Sequence, residues 1–234
     1  MLRLPKFRVE YPTTIDQAVA LMAEYGERAM LLAGGTDLIP NMKHKLFEPE
    51  VVVALGGVEN LSGICTNDDG SLHIGAITTL ADVASSAVVA KHAPALTSAA
   101  GIVAGPQLRN MGTLGGNVML DTRCQWYNQT YFWREALGFC LKKDGALCHV
   151  IAGGSKCVAA ASNDTAPALM TLNAELRFIS PRGETVMPIV DLWSSDGIWN
   201  KKVARDDLLV NIKIPPQADV HRGSYVKLRE RGSI

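Results

Sequence analysis

The chain has no surplus of charge of either sign: among 234 residues, 23 Lys and Arg balance 23 Asp and Glu. Without a basic excess there is no electrostatic footprint for nucleic acid or for an anionic membrane surface. No window of 18 uninterrupted apolar residues occurs, so no membrane span is expected. The opening MLRLPKFRVEYP holds no apolar stretch of signal-peptide length, and a cytoplasmic protein is the expectation. Familiar catalytic signatures are missing as well. There is no HExxH, no CxxC pair, no Rossmann fingerprint and no Walker A loop, since Gly153-Gly154-Ser155-Lys156 lacks the earlier glycine such a loop needs. Cysteine is scarce, with five in all, yet four of them (Cys124, Cys140, Cys148 and Cys157) fall in one stretch with gaps of 15, 7 and 8 residues. In a reducing compartment such a group reads as metal or redox ligands before it reads as disulfides.

What is present is ordinary globular material, 47% hydrophobic, enough for one large domain or two small ones. Thr14 and Gln17 form a capping box, after which Ile15, Ala18, Val19, Met22 and Ala23 recur at helical spacing up to a stop at Gly26. Two short apolar runs, Ala29 to Ala33 and Val51 to Leu55, each end in a glycine pair and predict buried strands of a parallel sheet. Leu72 to Ile74, Ala174 to Phe178 and Leu208 to Ile214 predict further strands. Thr79 to Ala90 and Pro94 to Val103 predict helices. Cys65 reads as a small buried side chain in a strand, and His149 as a surface residue or else a hydrogen-bond donor to whatever the neighbouring Cys148 holds. The mixture is irregular, which predicts a small α/β lobe followed by a larger α+β lobe.

Two glycine-rich segments stand out, Leu31-Leu32-Ala33-Gly34-Gly35-Thr36-Asp37-Leu38 and Gly112-Thr113-Leu114-Gly115-Gly116-Asn117. Glycine pairs let backbone N–H groups approach an anion closely, and the two loops together could hold the two phosphates of a dinucleotide. Both could equally be plain tight turns. Taken with their surroundings they are more specific. LLAGGTDL followed by MKHKL, then VAGPQLRNMGTLGGN, NDTAPAL, DDLLVNIKIP and YVKLRERGSI resemble, in order, motifs of the FAD-carrying subunits or domains of the molybdenum hydroxylases, the family of xanthine dehydrogenase and carbon monoxide dehydrogenase.

The resemblance covers nearly the whole chain. It implies a two-lobed FAD-binding fold of the vanillyl-alcohol-oxidase/PCMH type, with residues 1–56 as the N-terminal α/β lobe and 57–222 as the α+β lobe. Residues 223–234 would begin a C-terminal domain that family members usually continue. It further implies that Leu31, Leu32, Ala33, Gly34, Gly35, Thr36, Asp37 and Leu38 wrap the FAD pyrophosphate. Thr113, Gly116 and Asn117 would make the second phosphate and ribityl contact, with Val103 against the cofactor. Asp164 matches a cofactor-bonding aspartate, or else caps the helix that follows it. Leu209 would meet FAD through its backbone, or serve only as core. Lys227 would lie near the flavin ring, or else be a solvated lysine.

In most relatives GGN runs almost directly into the segment with the matching aspartate; here roughly 40 extra residues intervene, long enough to expect a function. The insertion, residues 118–160, contains all four clustered cysteines. Disulfides would need an oxidising compartment. Zinc sites usually pair their ligands as CxxC knuckles. An iron–sulfur cluster needs only four thiolates brought together in space, and apolar cover from Trp126, Tyr127, Tyr131, Phe132, Trp133 and Phe139 is at hand, though those aromatics serve equally as packing. A [4Fe-4S] cluster is therefore expected on Cys124, Cys140, Cys148 and Cys157, with no substrate chemistry on this chain. An FAD subunit with such an insertion resembles the beta subunits of 4-hydroxybenzoyl-CoA reductases. The resemblance implies electrons entering from ferredoxin, passing cluster and FAD, and reaching partner subunits with [2Fe-2S] clusters and molybdenum in a hetero-oligomer. Alternatives are a hydroxylase flavoprotein passing electrons outward and a zinc-stapled nucleotide-binding module. Because both glycine loops lie outside the insertion, loss of a loop cysteine is expected to leave FAD bound.

Overall fold

The computed structural model describes residues 2–218 and 221–228. Helix α1 (Ile15–Tyr25) begins where the capping box predicts. The Thr14 hydroxyl accepts from the Gln17 N–H at 3.2 Å, and the Gln17 side chain accepts from the Thr13 N–H at 2.8 Å. It ends at Gly26, whose φ of +53° suits glycine. Ala18, Val19 and Met22 form its buried stripe. That stripe lies on a parallel sheet ordered β1 (Arg8–Glu10), β3 (Val51–Ala54), β2 (Ala29–Leu32). The central β3 is buried on both faces, which explains its unbroken valine run. Helix α2 (Leu38–Lys43) follows the glycine turn at the carboxyl end of β2.

A second, five-stranded antiparallel sheet is ordered β4 (Ile64–Thr66), β5 (Leu72–Gly75), β8 (Leu208–Ile214), β6 (Glu175–Ser180), β7 (Gly183–Pro188). Its main core is closed by α3 (Leu80–Ser85), α4 (Ala87–His92), α5 (Pro94–Gly101) and α9 (Ala166–Thr171). Strand β8 serves both cores. Leu209, Ile212 and Ile214 face the helices, whereas Leu208 and Val210 pack with α1. This exchange of faces along one strand is a β-bulge: β6 pairs Arg177 with Asn211 but Phe178 with Leu209, leaving Val210 as the extra residue. The remaining helices are α6 (Pro106–Arg109), α7 (Leu114–Val118) and α8 (Tyr131–Ala136).

Several expectations are corrected. Thr79 to Ala90 is two helices, because Ser86 leaves the helical path and its hydroxyl accepts from the Val89 N–H to start α4. Cys65 does lie in a strand, but β4 is an edge strand and the thiol is exposed on its outer face. Among the described residues no helix is long and apolar enough to cross a membrane. Of the segment 223–234, residues 229–234 lie outside the described residues.

Candidate functional site

The two glycine loops, some 80 residues apart in sequence, touch. A Cβ on Gly34 would stand 1.7 Å from the Met111 carbonyl oxygen, and one on Gly112 would meet the Thr36 hydroxyl at 3.4 Å. At Gly34 only glycine permits that approach. The first loop, Ala33 to Asp37, leaves the carboxyl end of β2, the end at which open α/β sheets bind ligands, and Gly35 turns it with φ of +71°. The second loop is tied by backbone to the segment that leads from β5 into α3. Leu80 N–H donates to Gly112 O at 2.8 Å, Leu114 N–H to Thr78 O at 2.9 Å, and Gly115 N–H to Ala76 O at 2.8 Å. Thr113 then caps α7, its hydroxyl accepting from the Gly116 N–H at 3.1 Å.

The other expected flavin residues form a chain leading away from this junction. The Asn117 Oδ1 atom is buried and accepts from the Thr165 N–H at 3.0 Å and the Thr165 hydroxyl at 2.6 Å. The neighbouring Asp164 does not cap α9; Thr165 occupies that position, and Asp164 instead receives the Lys227 ammonium at 2.8 Å. Lys227 is therefore ion-paired, not merely solvated. Leu209 is a buried core residue of β8, the strand against which α7 packs. Val103 packs on the same core, and its carbonyl and that of Ala104, at φ of +44°, both accept from Arg109 at 2.9 and 3.0 Å.

The cysteine-bearing segment, residues 118–160, closes on itself at Arg123 and Ala160, which exchange two backbone hydrogen bonds of 2.7 and 2.9 Å. Within that neck Cys124, Cys140, Cys148 and Cys157 line one cavity, with Trp126, Tyr127, Lys142, His149, Val150 and Val158 among its walls. All four thiols are free. Burial pushes the Cys157 thiol up from its usual range; the Ala159 N–H and Lys142 oppose this, while nearby Cys140 and Cys124 add to it. Among the described residues no three His, Cys, Asp or Glu side chains converge tightly enough to hold one metal ion. His149 is half-buried rather than a surface residue: its Nε2 lies 2.5 Å from the Phe139 carbonyl, and its ring stacks on Trp126 at 5.4 Å. The aromatics divide: Trp126 and Tyr127 wall the cavity, whereas Phe132 is 79% exposed.

Sequence reasoning missed the residues that hold this lobe in place. The Lys142 ammonium is buried and donates to Asp121 at 2.9 Å, Thr122 Oγ1 at 2.7 Å and the Gly197 carbonyl at 2.6 Å. Gly197 comes so close that a Cβ there would lie 2.8 Å from Cys157 Sγ. Arg123 pairs with Asp37 of the first glycine loop. Arg134, buried to 2% exposure, donates to the carbonyls of His44 and Lys45 at 3.1 and 3.0 Å. The cysteine-bearing segment is thus in direct contact with the first glycine loop and the MKHKL segment, although both lie outside it. Only the position of Arg123 beside Cys124 hinted at this.

Two touching glycine turns on a frame of one parallel and one antiparallel sheet place the chain in the class of two-lobed, PCMH-type FAD-binding domains. It belongs to the family described as "FAD binding domain in molybdopterin dehydrogenase", which it matches over residues 5–217. It is 30% identical over 211 residues to the xanthine dehydrogenase FAD-binding subunit of Escherichia coli O157:H7, covering 90% of this chain and 58% of that one. It is 40% identical over 115 residues to the carbon monoxide dehydrogenase medium chain of Hydrogenophaga pseudoflava, covering 49% of this chain and 39% of that one. Among solved structures it resembles carbon monoxide dehydrogenase from Hydrogenophaga pseudoflava lacking the Mo-pyranopterin moiety, with a TM-score of 0.76 and 26% identity over 99% of this chain and 66% of that one. The chain thus spans 58% and 39% of the two curated relatives' lengths.

Proposed function

We propose that this chain is the electron-transfer subunit of a molybdenum enzyme, holding FAD at the two glycine loops and a [4Fe-4S] cluster on Cys124, Cys140, Cys148 and Cys157. When bound, flavin and cluster supply one-electron transfer, and the subunit relays between ferredoxin and partner subunits carrying [2Fe-2S] clusters and the molybdenum cofactor. On this reading the chain itself performs no substrate chemistry. The loops Leu31 to Leu38 and Thr113 to Asn117 bind FAD, with Val103, Asp164, Leu209 and Lys227 around it. The Lys227 ammonium, oriented by Asp164, favours an anionic reduced flavin ring.

One observation carries the cluster: four inserted thiols line a single cavity, under apolar and aromatic cover, in a lobe attached to the flavin loop. Zinc sites usually pair their ligands as CxxC knuckles, and these four cysteines are spaced far apart. Four thiols lining one cavity are the donor set that a [4Fe-4S] cluster takes. The finer reading, 4-hydroxybenzoyl-CoA reductase, rests on the pairing of this lobe with the FAD domain. There a low-potential cluster would take electrons from ferredoxin for reductive removal of an aromatic hydroxyl. A second reading has specific support, since relatives are named xanthine dehydrogenase and carbon monoxide dehydrogenase: electrons would then flow outward from molybdenum.

Iron, acid-labile sulfide and FAD analysis of anaerobically purified protein tests the cofactors. Expected is a yellow-brown protein whose broad band near about 400 nm bleaches with dithionite. A colourless protein with zinc alone would refute both cofactors. A redox titration then separates the two directions, because a cluster well above the flavin in potential argues against inward flow.

A further inference from the structure

We propose that Arg123 and Arg134 of the cysteine lobe are positioning residues for the flavin site, gripping α2 at both ends so that order in the lobe and retention of FAD are coupled. The inference rests on the reading that Ala33 to Asp37 contacts FAD.

Helix α2 has six residues, too few to hold its own shape. It is also the element that fixes where the first glycine loop ends. Asp37, at its N-terminal boundary, does not cap it with its side chain. Both Asp37 oxygens are committed elsewhere: Oδ1 to Arg123, and Oδ2 to the Asn41 amide at 3.1 Å. Arg123 reaches on to Asn41 Oδ1 at 3.4 Å, so lobe, loop and helix share one polar triangle. This arginine is fixed in turn by the backbone bridge to Ala160 that closes the lobe's neck.

At the other end, the carbonyls of His44 and Lys45 follow the last turn of α2, where helix carbonyls lack partners and a cation is favoured. Both accept from Arg134 Nη2. Lys45 adopts φ of +54°, a conformation that such bonds help to hold. Arg134 is buried, and among the described residues its Nε and Nη1 atoms find no hydrogen-bond partner. The Asp144 carboxylate stands 3.6 Å from Nη1, and the rings of Tyr131 and Phe139 flank the guanidinium at 5.7 and 5.8 Å. A cation buried at such desolvation cost, whose side-chain hydrogen bonds among the described residues all go to another segment, acts as a latch on that segment. Between the two arginines, Leu46 packs against Tyr127, Cys140 and Cys124.

The lobe has α8 as its one helix and a core of a few side chains, so its order depends on what the thiols hold. By linkage, whatever orders the lobe tightens FAD, and FAD tightens the lobe by the same factor. The test uses the full chain, with FAD release followed by recovery of flavin fluorescence in iron-loaded and iron-depleted protein. Arg123→Ala should release FAD about tenfold faster, the equivalent of about 1.4 kcal/mol, with iron content and thermal midpoint little changed. Arg123→Lys should recover part of the loss. Iron removal should speed release from the native chain but add little in Arg123→Ala, because the link is already cut; Arg134→Met should behave alike if it folds. Unchanged release from Arg123→Ala, while Gly116→Leu fails to retain flavin, would overturn the grip and leave the flavin site standing. Full flavin retention by Gly116→Leu as well would remove the flavin site itself.

Discussion

The glycine-loop cradle, where we propose that FAD binds, and the cysteine lobe are neighbours built on opposite principles. The cradle is made of backbone: glycines 34, 112 and 115 let main chains approach within contact distance, backbone hydrogen bonds tie the second turn to the segment that follows β5, and two large apolar cores lie beneath. The lobe is made of side chains. Its apolar cluster is Leu46, Tyr127 and Cys140 with Cys124 against it, and its polar interior is Lys142 on Asp121, Thr122 and Gly197. About 40 residues cannot usually bury enough surface to stand alone and need a disulfide, a metal or a partner surface. The difference teaches where each region is vulnerable: the cradle to an added carbon atom, the lobe to a lost charge or ligand.

Gly34→Ala should give the largest effect. Its Cβ would overlap the Met111 carbonyl, so the two loops must part. We expect loss of bound FAD and about 4 kcal/mol or more of stability, read by flavin absorbance and chemical denaturation. Gly56→Ala, where a Cβ meets nothing within 4 Å, is the control and should stay within about 0.5 kcal/mol. Equal behaviour of the two would break the view of the cradle as a backbone contact. Next comes Lys142→Met, which leaves the Asp121 carboxylate without its ammonium. About 3 kcal/mol is expected, felt in the lobe. Iron content should fall and proteolysis between residues 121 and 160 should rise, while FAD at saturating concentration still binds. Gly197→Ala should be milder, about 1–2 kcal/mol, because its Cβ presses on Cys157 Sγ and the Ala159 N–H at 2.8 Å. It should disturb iron loading and, through the lobe's link to the first glycine loop, speed flavin release no more than iron removal does. Loss of flavin in Gly197→Ala with iron intact would reverse the assignment of the two regions.

The contrast also explains what could be read from the sequence. Backbone-built parts announce themselves locally. The Thr14 and Gln17 box, the run Val51 to Leu55 and the paired glycines each encode their own conformation, and α1, β3 and both loops stand where they were expected. Short or exposed elements carry little pattern, so β1, with three residues, and β7, exposed along most of its length, went unread. Side-chain-built parts are silent. Arg123 and Asp37 lie 86 residues apart, and Asp164 and Lys227 lie 63 apart. A buried Arg134 or Lys142 is spelled like any surface charge. Asp164 illustrates the trap: its position before Thr165-Ala166-Pro167 fits a cap, yet the distant Lys227 takes its carboxylate.

The smallest expected effect concerns Lys201, beside the lobe's polar interior. It is 6% exposed, its ammonium 3.2 Å from Asn200 Oδ1 and over the Trp199 ring. Burial lowers its pKa from 10.5 to about 8, opposed by attraction to Asp121 and assisted by repulsion from Lys142 and Arg205. The folded pKa lies below the unfolded one. Between about pH 8 and 10.5 the unfolded chain therefore holds more protons, and stability attributable to this group rises with pH. Below pH 8 both states are charged and the burial cost is felt in full. Relaxation and water entry around the ammonium reduce the gain to roughly 1–2 kcal/mol. Denaturation of the native chain and of Lys201→Met at pH 7.5 and 9.5 reads it as a difference, which cancels other titrating groups. The variant should gain less on raising the pH, and should be at least as stable as native at pH 7.5, since it no longer buries a cation. A parallel pH response in both proteins would mean that the ammonium is solvated, and that the polar interior under the cysteine cavity is wet.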